Sequence, residues 1–190
     1  MIFDFFRKIS TPLGVASITV LAILAFWLVN SHGVPGVPRT HVLNELGILD
    51  TTINYSPSLA YSLLAAYGEE GRYAYTAFLE RVDFIFPVIY GSFFVMVTTF
   101  GFVRIFPGRP GVQKLALFPL ATTLFDFAEN CCFLVLLRNY PTRLDTVARV
   151  ANICTLAKWG FALISTVLLL IALLGLLVTK ILRREISQTS

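Results

Sequence analysis

The fold is decided by apolar stretches such as Val150–Val178, which reads VANICTLAKWGFALISTVLLLIALLGLLV and contains one charged side chain, Lys158. A spanning helix needs about 20 consecutive apolar residues, so a stretch of this length predicts a membrane helix. A charge at lipid depth costs roughly 3 kcal/mol on insertion scales and persists mainly where partners or a function support it. Lys158 is therefore the first candidate functional residue.

Three other stretches approach the same length, and together they predict four spans, near residues 13–31, 82–103, 115–137 and 150–178. The composition agrees, because 56% of the 190 residues are hydrophobic, 14% are charged and the mean hydropathy is +0.76. We expect an all-α integral membrane four-helix bundle, a single transmembrane domain over residues 1–190, with two short interfacial helices between the first and second spans.

The long connection between the first two spans, residues 32–80, carries signals for those two short helices. Apolar residues recur at helical spacing over residues 42–49. Ser56 followed by Pro57 is typical of a helix start, and Gly68 is typical of a left-handed helix end. We expect both helices to lie along the outer surface of the membrane.

Tyrosines are frequent in the same connection and at the start of the second span. Their amphipathic rings favour the lipid headgroup level, so an interfacial belt is the expected arrangement. A lid over a cavity between the helices is the alternative. The residues concerned are Tyr55, Tyr61, Tyr67, Tyr73 and Tyr75.

Basic residues near the predicted span ends indicate the orientation of the chain. They lie in the N-terminal segment 1–8, the loop 104–114 and the tail 180–184. Short flanks rich in Lys and Arg face the cytoplasm, so we expect both termini to be cytoplasmic, with the host membrane left open. These flanks and anionic lipid headgroups also account for the net charge of +4, so nucleic acid is not an expected partner.

The second span carries an acid beside a proline. Asp83, Pro87 and Tyr90 recur at intervals of four and three residues and share one helix face. Pro87 has no N–H to donate, so it should kink the helix and free a carbonyl near Asp83 that needs another partner. A packing kink with an interfacial acid is the alternative to a functional site.

The third span has the sharper pattern. Asp126, Glu129 and Asn130 stand at positions i, i+3 and i+4, so they project from one stripe of the helix, which cannot face lipid. Two carboxyl groups this close in a low-dielectric setting do not both ionise readily. We therefore expect one proton to be stored or donated at this stripe.

The fourth span supplies a counter-charge. Asn152, Thr155 and then Lys158 or Trp159 recur at helical spacing in its outer half. Counting inward from the outer ends at about 1.5 Å per residue puts Glu129 and Lys158 at similar depths. One outer-leaflet cluster of acids, amide and amine is thus expected, formed by Asp83, Asp126, Glu129, Asn130 and Lys158.

Three functions fit such a cluster. The first is a pocket that binds a lipid-like hydrophobic ligand, with or without transforming it chemically; Asp126, Glu129 and Lys158 are the candidate acid–base residues. Asp83, Tyr90, Asn130, Asn152 and Trp159 are the expected ligand-binding residues. The second is a structural or assembly subunit of a membrane complex, whose polar cluster is a packing clasp. The third is a proton-coupled carrier that works as a homo-oligomer.

Cofactor and metal motifs are not found in the sequence. It contains no nucleotide-binding glycine loop, no serine elbow and no zinc-type ligand pair. His32 and His41 are isolated, and the three cysteines, Cys131, Cys132 and Cys154, have no metal-like spacing. We therefore expect no cofactor and no metal, and a membrane lipid or hydrophobic small molecule as the partner.

Four strings resemble a pattern found in small uncharacterised four-helix integral membrane proteins: GEEGRYAY at 68–75, DFIFPVIY at 83–90, DFAEN at 126–130 and Lys158-Trp159. The topology is also similar to that of the sterol-isomerase and sigma-2-receptor superfamily, in which helix acids line a lipid cavity. The local similarity to that superfamily is the Phe86-Pro87 neighbourhood. The resemblance implies the four-helix fold, and no catalytic role is carried over from it.

Overall fold

The computed structural model describes residues 1–31 and 49–189, and every regular element in these ranges is helical, which confirms the all-α class. The predicted helix over 42–48, with His32 and His41, lies outside the described residues. The helices are α1 Ile2–Ile9, α2 Pro12–Ser31, α3 Pro57–Ala66, α4 Gly68–Phe78, α5 Phe86–Ile105, α6 Pro110–Gln113, α7 Pro119–Asn139 and α8 Asp145–Thr189.

Four stretches are long and apolar enough to cross a membrane, as predicted: Pro12–Val29, Gly68–Ile105, Pro110–Asn139 and Asp145–Leu182. By composition the chain is therefore a membrane protein. The sequence interpretation missed α1, an amphipathic helix that precedes the first span and buries Phe3 and Phe6. At its start the N-terminal ammonium donates a hydrogen bond of 2.9 Å to Asp4, which lowers the pKa of that carboxyl group.

The expected short helix after Ser56 is present as α3. The Ser56 hydroxyl accepts a hydrogen bond of 3.2 Å from the Leu59 N–H, and Pro57 occupies the first helical position. Gly68 has a φ of +64°, the left-handed conformation expected at the end of this helix. Local capping chemistry therefore fixes both ends of α3.

The predicted interruption near Pro87 is also present. A π-helical turn, Leu79–Asp83, separates α4 from α5, so the span from residue 82 is not one continuous α-helix. Pro87 has no N–H to donate to the Asp83 carbonyl four residues earlier. The side chain of Asn130 takes that place, with Nδ2 donating to the Asp83 carbonyl at 2.8 Å.

The described chain forms two compact units, and the prediction of a single domain stays a prediction. Unit 1 comprises residues 1–23, 89–121 and 161–190. Its core includes Phe6, Val95 and Met96. Within this unit Gly101 lies so close to Ala172 that a Cβ added at residue 101 would meet the Ala172 Cβ at 2.7 Å. Gly101 lies inside α5 and permits this close helix contact.

The described residues of unit 2 are 24–31, 49–88 and 122–160, and its core is rich in tyrosine. The predicted interfacial belt is wrong for four of the five tyrosines, because Tyr55, Tyr61, Tyr67 and Tyr75 are buried and only Tyr73 is exposed. Their hydroxyls find partners inside the protein: Tyr61 OH, for example, donates to the Thr142 carbonyl at 3.1 Å. Burial raises the pKa of Tyr67 to about 12 and places that of Tyr55 well above its ordinary value.

The contact between Gly101 and Ala172 gives a stability prediction. Replacing Gly101 by Ala should lower the free energy of unfolding by about 1–3 kcal/mol, the usual cost of overpacking. Gly160→Ala is the matched control, because it adds the same methyl group to a helix with nothing within 4 Å and gains helix propensity. Thermal unfolding of the detergent-solubilised variants measures the difference. A Gly101→Ala protein as stable as Gly160→Ala would contradict the close approach.

Candidate functional site

Lys158 lies at the centre of a group of polar side chains buried in unit 2. Its ammonium forms ion pairs with Asp50 Oδ1 and Glu129 Oε2, and lies 3.7 Å from Asp126 Oδ1. The structure thus brings together Asp126, Glu129 and Lys158, the three residues predicted to act as acids and bases. We call the following residues the polar cluster: Asp50, Asp83, Asp126, Glu129, Asn130 and Lys158.

Helix α7 supplies three members of the polar cluster from one face. Asp126, Glu129 and Asn130 are all buried, whereas Leu124 and Val135 on the same helix are exposed. The spacing of i, i+3 and i+4 therefore places the polar stripe inside the protein, as expected from helical geometry. The apolar side chains cover the outside of the helix, where lipid would lie.

Glu129 is held by a second contact on α8. Thr155 Oγ1 hydrogen-bonds with Glu129 Oε1 and lies 3.4 Å from the Tyr55 hydroxyl. Next to it, the backbone N–H of Tyr55 donates to Asn152 Oδ1 at 2.9 Å. The polar stripe of α8, formed by Asn152, Thr155 and Lys158, thus binds both α7 and the segment that precedes α3.

Asp50 is the site residue that the sequence interpretation missed. It lies in the 3-10 turn Leu49–Thr51, and its backbone N–H donates to the Tyr75 hydroxyl at 3.3 Å. The Trp159 Nε1–H lies 3.4 Å from the Asp50 carbonyl oxygen, which accepts it. These contacts hold the turn over Lys158. No local pattern marks Asp50, since its partner Lys158 is 108 residues away in the sequence.

Asp83 joins the polar cluster from the end of the π-helical turn. One carboxylate oxygen from each of Asp50, Asp83 and Asp126 lies within 4.8 Å of the others. Asp83 and Asn130 are both buried, and among the described residues Asp83 Oδ2 and Asn130 Oδ1 have no hydrogen-bond partner. Each of these oxygens can accept a hydrogen bond or coordinate a cation.

The charges of the polar cluster do not balance. It contains the four carboxyl groups of Asp50, Asp83, Asp126 and Glu129 and one ammonium, that of Lys158. With every group ionised, its formal charge is four negative charges plus one positive charge, or −3. Uncompensated charge away from water costs several kcal/mol per ion, so the polar cluster must take up protons, a cation or another partner.

The remaining predicted site residues have different positions. Asn152 is half-buried and bonds to the Tyr55 backbone, and Trp159 is 43% exposed and bonds to Asp50. Tyr90 is half-buried and belongs to unit 1, whereas the residues of the polar cluster belong to unit 2. Their roles in binding a ligand, and the catalytic roles of Asp126, Glu129 and Lys158, stay predictions.

Comparison of the chain with family models, with curated proteins and with solved structures gives no match. No role is therefore carried over to these residues from a relative, and the fold supports only the general likeness to small four-helix membrane proteins.

The contact between Asn130 and the freed carbonyl of Asp83 gives a prediction. Replacing Asn130 by Ala should lower the free energy of unfolding by about 1–3 kcal/mol, because it leaves a buried carbonyl unpaired. The double variant with Pro87→Ala should recover part of that loss, since residue 87 then has an N–H for the same carbonyl. Thermal unfolding of the two single variants and the double variant completes the cycle.

Asn139→Ala is the control for that cycle. Asn139 also donates Nδ2 to a helix carbonyl, that of Val135 at 2.8 Å, but it is exposed. Its replacement should change stability by less than about 0.5 kcal/mol. Strictly additive effects of the changes at residues 87 and 130 would contradict the proposed exchange of donors.

Proposed function

We propose that this protein binds a lipid-like hydrophobic ligand whose polar end donates hydrogen bonds to the polar cluster of unit 2. The observation that carries the proposal is the excess of acceptors around Lys158. Three carboxyl groups surround its ammonium, and Asp83 adds a fourth acid beside Asp50 and Asp126. Two buried oxygens, Asp83 Oδ2 and Asn130 Oδ1, have no hydrogen-bond partner in the described chain. Buried acceptors without donors cost about 1–3 kcal/mol each, and a bound hydroxyl, amide or amine removes that cost.

The surroundings of the polar cluster favour an apolar body for the ligand. Lys158 lies on α8 between exposed apolar side chains, including Ile153, Leu156 and Trp159. Apart from Asp50, the members of the polar cluster belong to stretches long and apolar enough to cross a bilayer. A ligand that approaches along these helices would bury its hydrocarbon part against them and present its polar end to the acids.

Each member of the polar cluster then has a definite task. Lys158 forms ion pairs with Asp50 and Glu129, so it compensates part of their negative charge and holds their positions. Asp126 lies on the same face of α7 as Glu129, and its Oδ1 is farther from the ammonium, at 3.7 Å, than Glu129 Oε2 is. Asp126 is therefore the residue we expect to accept a hydrogen bond from the ligand, with Asn130 beside it.

The orientation is part of the proposal. With both termini cytoplasmic, the turn Leu49–Thr51 and α3 lie on the outer side, and the polar cluster opens toward the outer leaflet. Single cysteines test this in a background without Cys131, Cys132 and Cys154. Cysteine at Ser58 should react with a membrane-impermeant maleimide in intact cells, and cysteine at Arg109 only after permeabilisation. Both side chains are exposed, and the proposed orientation assigns residue 58 to the outer side and residue 109 to the cytoplasm. The reverse pattern would overturn the orientation.

A packing clasp is the second candidate function. It is favoured by one observation: the ion pairs of Lys158 join α8 both to α7 and to the turn Leu49–Thr51. In this case the protein is a structural subunit of a membrane complex, and the polar cluster serves only to fix the helices. Such a clasp explains Glu129 and Asp50, and it gives no role to the additional acids Asp83 and Asp126.

Native mass spectrometry of the protein released from its own membrane separates the two functions. The wild-type protein should retain an adduct of lipid mass, and Asp126→Asn should weaken that binding about 10–100-fold at nearly unchanged thermal stability, the cost of a charge-assisted hydrogen bond. Asp145→Asn is the matched control, because Asp145 is an exposed acid on the same helix as Lys158.

The outcomes of this experiment are distinct. An adduct that the wild type and Asp145→Asn retain and Asp126→Asn loses supports ligand binding. A wild-type protein with no adduct, or equal adducts in all three proteins, contradicts it. A clasp is indicated if Lys158→Met unfolds at a much lower temperature than the wild type and no protein carries an adduct.

A further inference from the structure

We propose that Asp50, Asp83 and Asp126, together with the side-chain oxygen of Asn130, form a binding site for a divalent cation of the size of calcium. This inference goes beyond ligand binding, because a neutral hydrogen-bonding ligand satisfies the buried oxygens but leaves the charge of the polar cluster uncompensated. The sequence analysis predicted no metal site, because it considered the spacing of His and Cys and not that of the aspartates.

The spacing of the three aspartates suits such an ion. Calcium is bound by oxygen ligands at about 2.3–2.6 Å, so two ligand oxygens on opposite sides of the ion are about 5 Å apart. One oxygen from each of Asp50, Asp83 and Asp126 lies within 4.8 Å of the others. The three oxygens can therefore surround one ion without a movement of the backbone.

The unpartnered oxygens point to a ligand independently of that spacing. Asp83 is 7% exposed and Asn130 is fully buried, yet Asp83 Oδ2 and Asn130 Oδ1 accept no hydrogen bond from the described part of the chain. The Asn130 amide cannot turn around, because its Nδ2 is engaged by the Asp83 carbonyl. This hydrogen bond holds Asn130 next to Asp83, one of the three aspartates.

The chemistry of these ligands selects the kind of ion. Carboxylate and amide oxygens are the ligands of calcium, and zinc is disfavoured because the site offers no sulfur or imidazole nitrogen. Magnesium usually retains several waters, which a site this buried does not favour. A divalent ion would change the formal charge of the polar cluster from −3 to −1. The side chain of Asp50 is 21% exposed, the largest value of the three aspartates, so the ion would reach the site past Asp50.

Lys158 is the internal competitor of this ion. Its ammonium pairs with Asp50 and lies 3.7 Å from Asp126, two of the proposed ligands. Binding of the cation must therefore draw Asp50 away from Lys158, which keeps its pair with Glu129. Removal of the ammonium should consequently strengthen cation binding, whereas a merely structural role of the aspartates predicts no such gain.

Calcium chloride alone is the probe for the test. The full-length protein is purified in detergent, stripped with a chelator and titrated calorimetrically with calcium, and its thermal unfolding is followed at each concentration. The wild-type protein should bind one ion, and its Tm should rise with the calcium concentration. Asp83→Asn should lower the affinity at least tenfold, Lys158→Met should raise it at least tenfold, and Asp145→Asn should leave it unchanged.

Other outcomes overturn the inference. It fails if the wild type binds no calcium at millimolar concentration, if Asp83→Asn binds as tightly as the wild type, or if a fall in pH stabilises the protein while calcium does not, since protons then compensate the acids. If Asp83→Asn does not fold, Asp126→Asn replaces it. Calcium binding without a lipid adduct contradicts only the ligand proposal, and a lipid adduct without calcium binding contradicts only the cation site.

Discussion

The pairing of Lys158 with carboxyl groups is the interaction on which the described structure of unit 2 depends. An ammonium on an apolar helix is tolerated where opposite charges pair with it. The position of α8 therefore depends on the acids of the neighbouring segments. Glu129 meets this demand from α7, and Asp50 meets it from the turn before α3. One side chain thereby fixes the positions of two distant segments.

A backbone constraint of the same kind acts between α5 and α7. Pro87 frees the Asp83 carbonyl, and in a low-dielectric interior such a carbonyl needs a donor. Asn130 on α7 supplies the donor. The proline on α5 therefore explains why residue 130 carries an amide. Because Asn130 is adjacent to Glu129, the constraint that places the carbonyl also aligns the acid that pairs with Lys158.

Much of the fold can be predicted from the sequence, because spans, caps and helix faces depend on local patterns. A few consecutive turns of sequence are enough to predict each of three features: the four spans, the start of α3 at Ser56 and the polar stripe of α7. Asp50 could not be found in this way, since only the folded chain brings it to Lys158. The buried tyrosines were misassigned because an amphipathic ring suits a lipid interface and a satisfied core equally well.

The polar cluster contains more acids than a purely stabilising role requires. If the polar cluster served only to hold helices together, equal numbers of acids and bases would be expected there. Apolar side chains of similar volume would also serve, because they often replace buried ion pairs without loss of stability. Lys158 can neutralise only one of the four acids of the polar cluster, so three negative charges are in excess, and Asp83 and Asp126 are both buried. Groups that break a local rule without a gain in stability are expected at functional sites. Asp83 and Asp126, rather than the lysine that first marks the site, are therefore the residues on which the proposed binding of a partner depends.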